Sequence, residues 1–415
     1  MSGARVAAAA PAAPIDAPAD APAVELEVRT EPLGGSALAR AARGGTLDAH
    51  WYPPRPVDAA EWSLHVDAIR RQFAAGAWLE LLRPAFDARG EAAARLERSA
   101  GGAGIVVTTG QQPGLFGGPL YTLSKAISAR ALADALEART GIPVAPVFWA
   151  ATDDADYEEA RGTVVALDGE SRALRLDGAP VEGTPMSAVP MGDEVPALLD
   201  QLARACGSAS YAPALDAARA SYRAGATVGD AYVGLMRALL EPLGIAVLDA
   251  SHGAVREAGF NLMRRALLQA GAVEEALRER ADAMAAAGHA PQVADVAGRS
   301  LVFAYDAEGR KARVGVAEGR AMVAKLARGS LGPNVLLRPV IERTILPTAA
   351  YVAGPGEYAY FAQVSAVAAA LGVPLPLAVP RRSTTVVEPH VRRALARVGL
   401  DVADLADPHA AEGRV

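Results

Sequence analysis

The chain has 415 residues, 51% of them hydrophobic, which is enough for the core of one large or two ordinary domains without disulfide bonds. A single cysteine, Cys206, excludes an intrachain disulfide and a thiolate metal cluster, and it is typical of a reducing, cytoplasmic location. The net charge of −6, without a long basic run, disfavours nucleic acid or an anionic membrane as partner. The sequence predicts no membrane span, and its six scattered histidines predict no zinc site.

The N-terminal quarter of the chain divides into a tail and a helical region. Residues 1–24 are rich in alanine and proline, and this composition predicts a disordered tail rather than an export signal. Residues 25–99 are expected to be helical, because apolar residues such as Trp62, Ile69 and Trp78 recur at helical spacing.

The segment that follows predicts a strand, a helix and a second strand. Residues 104–109 and 144–151 are short apolar runs rich in β-branched side chains, as in buried strands. A helical pattern from Leu120 to Arg139 lies between them and is long enough to connect two parallel strands. The segment therefore predicts a parallel βαβ unit with a right-handed connection.

A second βαβ unit is predicted about 200 residues later, with strands at 345–354 and 375–380 around a helix at 356–371. The simplest arrangement is an α/β fold with one doubly wound parallel sheet that is interrupted by inserted connecting segments. The predicted parts are a core over 100–160 and 240–390 with a strand at 244–251 and a β-hairpin over 300–317, an insertion over 161–239 and a short C-terminal tail over 391–415.

Ligands of an open parallel sheet bind beyond the carboxyl ends of its strands, and three strand ends here carry unusual residues. The first is the glycine-rich turn at 110–119, whose glycines allow close backbone approach and whose following helix offers free N–H groups to an anion. Pro119 suits the first helical position, and no Gly-Lys-Ser/Thr closes a Walker A loop. An ordinary turn is the alternative. The predicted ligand-binding residues are Gln111, Gln112, Gly117, Gly118, Tyr121 and Lys125.

The second strand end carries three closely spaced aspartates, Asp153, Asp154 and Asp156. Acids in the first turn of a helix stabilise its dipole, which is one interpretation. The other is that one or two of them bind a substrate amine or hydroxyl, or Mg²⁺, and do acid–base chemistry. The spacing lacks the glycine and final glutamate of a calcium loop, and no metal site is assigned.

The third strand end combines glycines with basic residues. Gly354 and Gly356 open a helix after a strand, with Glu357 in its first turn. Arginines near the strand ends could clamp a carboxylate or phosphate, although each could equally be a surface residue or part of a structural ion pair. The candidates are Arg338, Arg381 and Arg382.

A dinucleotide-dependent oxidoreductase is a rival hypothesis. Gly354, Gly356 and Ala359 satisfy the relaxed dinucleotide fingerprint, and Arg381 follows the next strand, where an NADP-binding enzyme would carry a basic residue. Such a fingerprint normally begins its domain, and here it starts near the end of the sequence. No Gly-x-Ser-x-Gly elbow is present, and Cys206 has no histidine nearby in sequence, so nucleophilic hydrolysis is disfavoured.

The same segments resemble the bacillithiol biosynthesis cysteine-adding enzymes, the BshC family. The resemblance spans roughly residues 30–400 and is carried by TGQQPGLFGGPLYTLSKAISA, PVFWAATDDADYEEA, GIAVLDAS, PNVLLRPVIERTILPTAAYVAGPGEYAYFAQ and LPLAVPRRS. It implies a Rossmann-type core like that of class I aminoacyl-tRNA synthetases and nucleotidyltransferases, with connecting insertions. It also implies the joining of L-cysteine to the amino group of glucosaminyl-malate.

The resemblance extends to the site. It implies that residues 110–121 are the counterpart of the class I signature. It also implies that residues 152–156 face the substrate amine or sugar, and that a mobile second signature lies at 381–383. ATP or another nucleotide and Mg²⁺ are open as cofactors, and the expected partners are the two small substrates. Within these segments, Trp149, Tyr360 and Ser383 join the expected substrate contacts.

Two departures from the family pattern bear on function. The family's acidic segment usually reads Ser-Glu-Asp-His-Asp-Phe, and here Ala155 stands where the histidine would be. If that histidine is a base or a substrate contact, this chain has lost it or changed substrate, so a divergent paralogue that binds a nucleotide or an anionic sugar is an alternative. The family's long C-terminal coiled coil is not recognisable after Pro389, so a coiled-coil dimer is not expected.

Overall fold

The computed structural model describes residues 26–207, 212–294, 297–406 and 411–412, so the tail predicted over 1–24 lies outside the described residues. The strands are β1 (Glu27–Glu31), β2 (Ile105–Gln111), β3 (Val144–Ala150), β4 (Gly162–Leu167), β5 (Glu170–Arg175), β6 (Ala246–Asp249), β7 (Arg299–Tyr305), β8 (Lys311–Gly315), β9 (Leu331–Pro333), β10 (Thr348–Ala353), β11 (Ala378–Pro380) and β12 (Ser383–Val387).

The helices of the described residues come mostly between these strands. No described helix is both long and apolar enough to cross a lipid bilayer. The helices are α1 (Ala37–Gly44), α2 (Ala59–Arg70), α3 (Ala77–Phe86), α4 (Gly90–Gly101), α5 (Tyr121–Thr140), α6 (Tyr157–Ala160), α7 (Val195–Cys206), α8 (Ala212–Ser221), α9 (Val228–Leu240), α10 (Gly253–Leu268), α11 (Ala270–Ala286), α12 (Gly319–Val323), α13 (Arg338–Ile345), α14 (Pro355–Ala370) and α15 (Pro389–Arg397).

A five-stranded parallel sheet with the order β11-β10-β2-β3-β6 forms the centre of the fold. β2 pairs with β3 on one side and with β10 on the other, so the two predicted βαβ units share one sheet. β3 and β10 are buried along their whole length, which explains their continuous apolar runs. Because the strands are parallel, their carboxyl ends lie at one edge.

Helices cover both faces of this sheet, which confirms the predicted doubly wound α/β fold. On one face, alternate strand residues such as Ile105 and Val107 pack against α2 and α5, and Phe148 packs against α9. On the other face, Val106 and Val147 belong to a larger core with α3, α4, α10, α13 and α14. The period-two alternation of the strands therefore sends apolar side chains into two separate helical layers.

Two smaller sheets flank the core. β4 and β5 form an antiparallel hairpin in the insertion after β3. The hairpin predicted over 300–317 is present as β7 and β8, and β9 adds a third strand that the sequence analysis did not predict. Residues of β7, β8 and β9 line the site described below.

The region predicted to be helical over 25–99 begins with a strand instead. β1 pairs antiparallel with β12 along its whole length, from Glu27 opposite Val387 to Glu31 opposite Ser383. The sequence EVRTE is polar and alternates only weakly, so its strand conformation depends on a partner from the far end of the chain. The rest of the region forms α1 to α4.

Glu241, which follows α9, supplies a pH-dependent prediction. One of its carboxylate oxygens is buried without a partner among the described residues, and burial raises its pKa from 4.5 to about 7. The folded state therefore holds this proton more tightly than the unfolded state, so the free energy of unfolding falls as pH rises from about 4.5 to about 7. We expect Glu241→Gln to raise the unfolding free energy by about 1–3 kcal/mol at pH 8 and not at pH 4. Thermal unfolding at both pH values checks this, and an equal shift at both would contradict it.

Candidate active site

A cleft of about 1280 Å³ opens at the carboxyl edge of the central sheet. Its floor is formed by the ends of β2, β3, β10 and β11, and the β7–β8 hairpin lines the opposite side. All three predicted segments therefore meet in one cleft. The predicted residues that line it are Gln111, Gln112, Tyr121, Lys125, Trp149, Asp153, Asp154, Asp156, Arg338, Gly354, Gly356, Glu357, Tyr360 and Arg381.

Four predicted substrate-binding residues do not line this cleft. Gly117 and Gly118 adopt positive φ in the turn before α5, where Gly117 packs against Met236 of α9. Arg382 is exposed, and Ser383 begins β12. Their roles in this structure are those of a tight turn and of the start of a surface strand.

The glycine-rich turn brings β2 close to β3. A Cβ on Gly110 would lie 2.7 Å from the carbonyl oxygen of Trp149, so only glycine allows this approach. The helix α5 begins at Tyr121, with Leu120 as its N-cap, so Pro119 lies before the cap and not at the predicted first helical position. The first two turns of α5 consequently carry Tyr121 at the cleft and the buried Lys125.

Lys125 forms a buried ion pair with Glu357. The side chain of Lys125 is 1% exposed, and its Nζ lies 2.5 Å from Glu357 Oε2 and donates to the carbonyl of Gly110. Glu357 also accepts from the hydroxyl of Tyr351 and from the N–H of Gly354 at 2.7 Å. Burial acts to raise the pKa of Glu357, but Lys125 and these donors hold it below its usual value. The pair joins the starts of α5 and α14.

Arg338 is also paired, which changes its predicted role. Its Nη1 donates to Glu342 Oε2 at 2.7 Å, and Glu342 accepts a second hydrogen bond from Thr108. The guanidinium carbon lies 4.9 Å from the ring centre of Tyr351 and 6.0 Å from that of Trp149. Arg338 therefore forms part of the floor as a stacked, internally neutralised cation.

The three aspartates of the loop after β3 have different local roles. Asp156 is the N-cap of α6, and its carboxylate accepts from the N–H of Glu159 at 3.1 Å. It therefore stabilises the start of a helix, which was one of the two interpretations of these aspartates. Asp154 accepts from the N–H of Asp156 at 3.0 Å and stabilises the turn. Asp153 lines the cleft, where burial raises the pKa of its carboxyl and Lys311 opposes that shift. A desolvated carboxyl that lines a cleft can accept a proton from a bound ligand.

Two polar groups at the cleft have no hydrogen-bond partner among the described residues. They are Nε1 of Trp149, which is 2% exposed, and Nε of Arg381. Burial lowers the pKa of Arg381, whose backbone N–H is tied to Ala353 at 2.9 Å. Unsatisfied buried donors are costly, so both groups are suited to bind an acceptor on a ligand.

The structure adds cleft residues that the sequence analysis missed. They come from α11 and from the β7–β8–β9 sheet, which no motif linked to the strand ends. The added residues include Leu277, Leu301, Phe303, Lys311 and Asn334.

A Rossmann-like α/β core with a polar cleft at the carboxyl ends of its strands defines the class to which this chain belongs. The model of the family described as "Bacillithiol biosynthesis BshC, N-terminal Rossmann-like domain" matches residues 77–382. The chain is a member of the BshC family.

Curated relatives carry the name "Putative cysteine ligase BshC". The protein of Koribacter versatilis is 35% identical over 342 residues, which are 79% of this chain and 63% of the relative. That of Salinibacter ruber is 34% identical over 325 residues, or 73% and 58% of the two chains, and that of Solibacter usitatus is 32% identical over 326 residues, or 72% and 58%. The chain thus spans about three fifths of the length of these relatives.

Proposed function

We propose that this chain is an amide-forming ligase that joins L-cysteine to the amino group of glucosaminyl-malate in bacillithiol biosynthesis. Its membership of the BshC family and the name of its relatives support the reaction class. The observation that carries the proposal is the cleft itself. It combines a carboxyl of raised pKa, Asp153, with unsatisfied donors on Arg381 and Trp149.

Asp153 acts as the general base. The lone pair of the acceptor amine forms a C–N bond with the cysteine carboxyl carbon, and a C–O bond of that carboxyl breaks. The departing oxygen group would be phosphate or AMP if a nucleotide activates the carboxyl, and the amine nitrogen must lose one proton. A carboxylate that is partly desolvated is a stronger base than one in water. Asp153 takes this proton, and Asp154 and Asp156 hold the loop through their backbone hydrogen bonds.

Arg381 binds the anionic part of the substrate. Lys125 and Arg338 are neutralised by Glu357 and Glu342, so they offer less attraction to a carboxylate than the sequence analysis expected. Arg381 keeps an unsatisfied Nε beside the N-terminus of α14. A malyl or cysteinyl carboxylate fits this guanidinium by charge and geometry.

The assay supplies purified protein with L-cysteine and glucosaminyl-malate, with and without ATP and Mg²⁺, and detects the amide product by mass spectrometry. The Koribacter versatilis relative, assayed in parallel, is the positive control. We expect the cysteinyl product from both proteins. Product from the relative and none from this chain would reject the proposal.

A divergent condensation is the second candidate, and one residue favours it. Ala155 lines the cleft at the position where the family pattern has a histidine. In that case the chain would bind glucosaminyl-malate or another anionic sugar without forming the cysteinyl product. Calorimetric titration with glucosaminyl-malate, run beside the assay, separates binding without turnover from turnover.

The dinucleotide hypothesis is weaker in the light of the same site. The carboxylate of Glu357 accepts from the N–H of Gly354 at the start of α14, where a pyrophosphate would otherwise bind. Family membership also favours a ligase. We therefore expect no saturable change in cofactor fluorescence when NADPH is titrated.

A further inference from the structure

The distribution of lysine directs attention to one side chain outside the predicted motifs. The chain has 38 arginines and only three lysines, Lys125, Lys311 and Lys325. Lys125 and Lys311 both line the cleft. Lysine is a compact, strongly hydrated point charge, whereas arginine is a planar fork, so the two are not interchangeable at a close contact. Lys125 is accounted for by Glu357, which leaves Lys311 without a role in the function proposed above.

Lys311 contacts the backbone of the loop that carries the aspartates. Its Nζ donates to the carbonyl of Asp153 at 2.5 Å. The neighbouring carbonyls are also occupied, since Thr152 accepts from the N–H of Ser187 at 3.0 Å and Asp154 accepts from that of Met186 at 2.8 Å. Three successive carbonyls of the loop thus accept from donors on two separate parts of the chain, the segment at 186–187 and the β7–β8 hairpin.

Contacts hold the backbone of Lys311 in place as well as its ammonium group. Its backbone N–H donates to the carbonyl of Gly183 at 2.9 Å, and Gly183 has a φ of +81°. A Cβ at this glycine would lie 2.5 Å from the carbonyl oxygen of Lys311. The ring of Phe303 lies 5.0 Å from Nζ and forms a cation–π contact. The β7–β8 hairpin therefore holds the ammonium group beside the carbonyl of Asp153.

We propose that Lys311 is a positioning residue that holds the 152–156 loop, so that the carboxyl of Asp153 faces the reacting amine. The proposal rests on the proposed function in one respect, namely that Asp153 is the base. In this proposal the β7–β8 hairpin contributes to the site, because without Lys311 the loop loses one of the three hydrogen bonds to its successive carbonyls.

Lys311 also acts on Asp153 through its charge. The charged groups that face this carboxyl are Lys311 on β8, Arg338 on α13 and the adjacent Asp154, with the hydroxyl of Tyr305 on β7 nearby. Lys311 and Arg338 favour the ionised carboxyl and Asp154 disfavours it. Removing Lys311 therefore raises the pKa of Asp153 further, and the acid limb of the rate profile moves to higher pH.

The test compares Lys311→Met and Lys311→Arg with Lys325→Met, which removes an exposed lysine outside the cleft. Hydrogen exchange of the peptide covering 151–157 is measured first, because it needs no substrate. We expect about tenfold faster exchange in Lys311→Met. We also expect a kcat about tenfold lower, an acid limb moved to higher pH and a nearly unchanged KM. Lys311→Arg keeps the charge and should return the acid limb towards that of the wild type.

The outcomes distinguish this proposal from the proposed function. Faster exchange in Lys311→Met with no product from any variant would support the anchoring role and reject the reaction. Exchange and pH profile equal to those of Lys325→Met would overturn the role of Lys311, even with a fully active enzyme. If Lys311→Met fails to fold, Lys311→Gln takes its place: faster exchange of the 151–157 peptide than in Lys325→Met would support the proposal, and exchange and a pH profile equal to those of Lys325→Met would overturn it.

Discussion

Asp153→Asn should lower kcat by about 10²–10⁴-fold with little change in KM. Asparagine has nearly the same shape, so it keeps the loop but cannot accept the proton of the attacking amine. Because burial raises the pKa of Asp153, the activity of the wild type should increase as pH rises through that pKa, and the mutant should lose this limb. Initial rates of product formation across pH, measured by mass spectrometry, check both effects.

Asp156→Asn is the matched control for that experiment. The carboxylate of Asp156 caps α6 at an exposed position, and asparagine caps a helix equally well. Activity should therefore stay within about threefold of the wild type. Asp154→Asn should fall between the two, since Asp154 lines the cleft and also stabilises the turn. If all three mutants were equally impaired, Asp153 would have no separate role as the base.

Lys125→Met should reduce the free energy of unfolding by about 3–5 kcal/mol, the largest stability effect we expect from one substitution. The mutation leaves the carboxylate of Glu357 buried without its countercharge, 2.5 Å from where the ammonium group was. It also removes the donor to the carbonyl of Gly110 and to Gln111 Oε1, which lies 3.2 Å from Nζ. Chemical denaturation of the wild type and the mutant measures the loss.

The exposed pair of Arg83 and Glu97 provides the comparison. Both side chains are more than half exposed, so Arg83→Met should cost no more than about 1 kcal/mol. The double mutant Lys125→Met/Glu357→Gln should recover part of the stability, because it removes the unpaired charge. A cost for Lys125→Met as small as that for Arg83→Met would mean that the buried pair does not stabilise the fold.

The central sheet was predictable because its signals are local. β2, β3 and β10 are buried on both faces, so each is a continuous apolar run, and a helix of crossover length follows β2 and β10. β1 and β9 were missed because their conformation depends on distant partners. β1 is polar and pairs with β12, and β9 has three residues and pairs with β7. No period within such short segments distinguishes a strand from a loop.

The sequence predicted the location of the site better than it predicted which charged groups are free to bind a ligand. Strand ends rich in glycine and charge located the cleft, and Gln112, Asp154 and Arg338 do line it together. Which charges are available to a ligand depends on pairing. Glu342 neutralises Arg338, but nothing in the sequence distinguishes it from any other residue of a helix. Lys311 was missed because the β7–β8 hairpin reaches the cleft only through the tertiary fold.

The strand order has a consequence for synthesis on the ribosome. β2 and β3 leave the ribosome early and can pair at once, but β10, which covers the other edge of β2, follows more than 200 residues later. At about 5–20 residues per second, that edge stays open for roughly 10–50 s. An apolar strand with unpaired backbone groups is a template for pairing with other chains during this interval. Nascent chains that stop before β10 should therefore need chaperone protection that the finished protein does not.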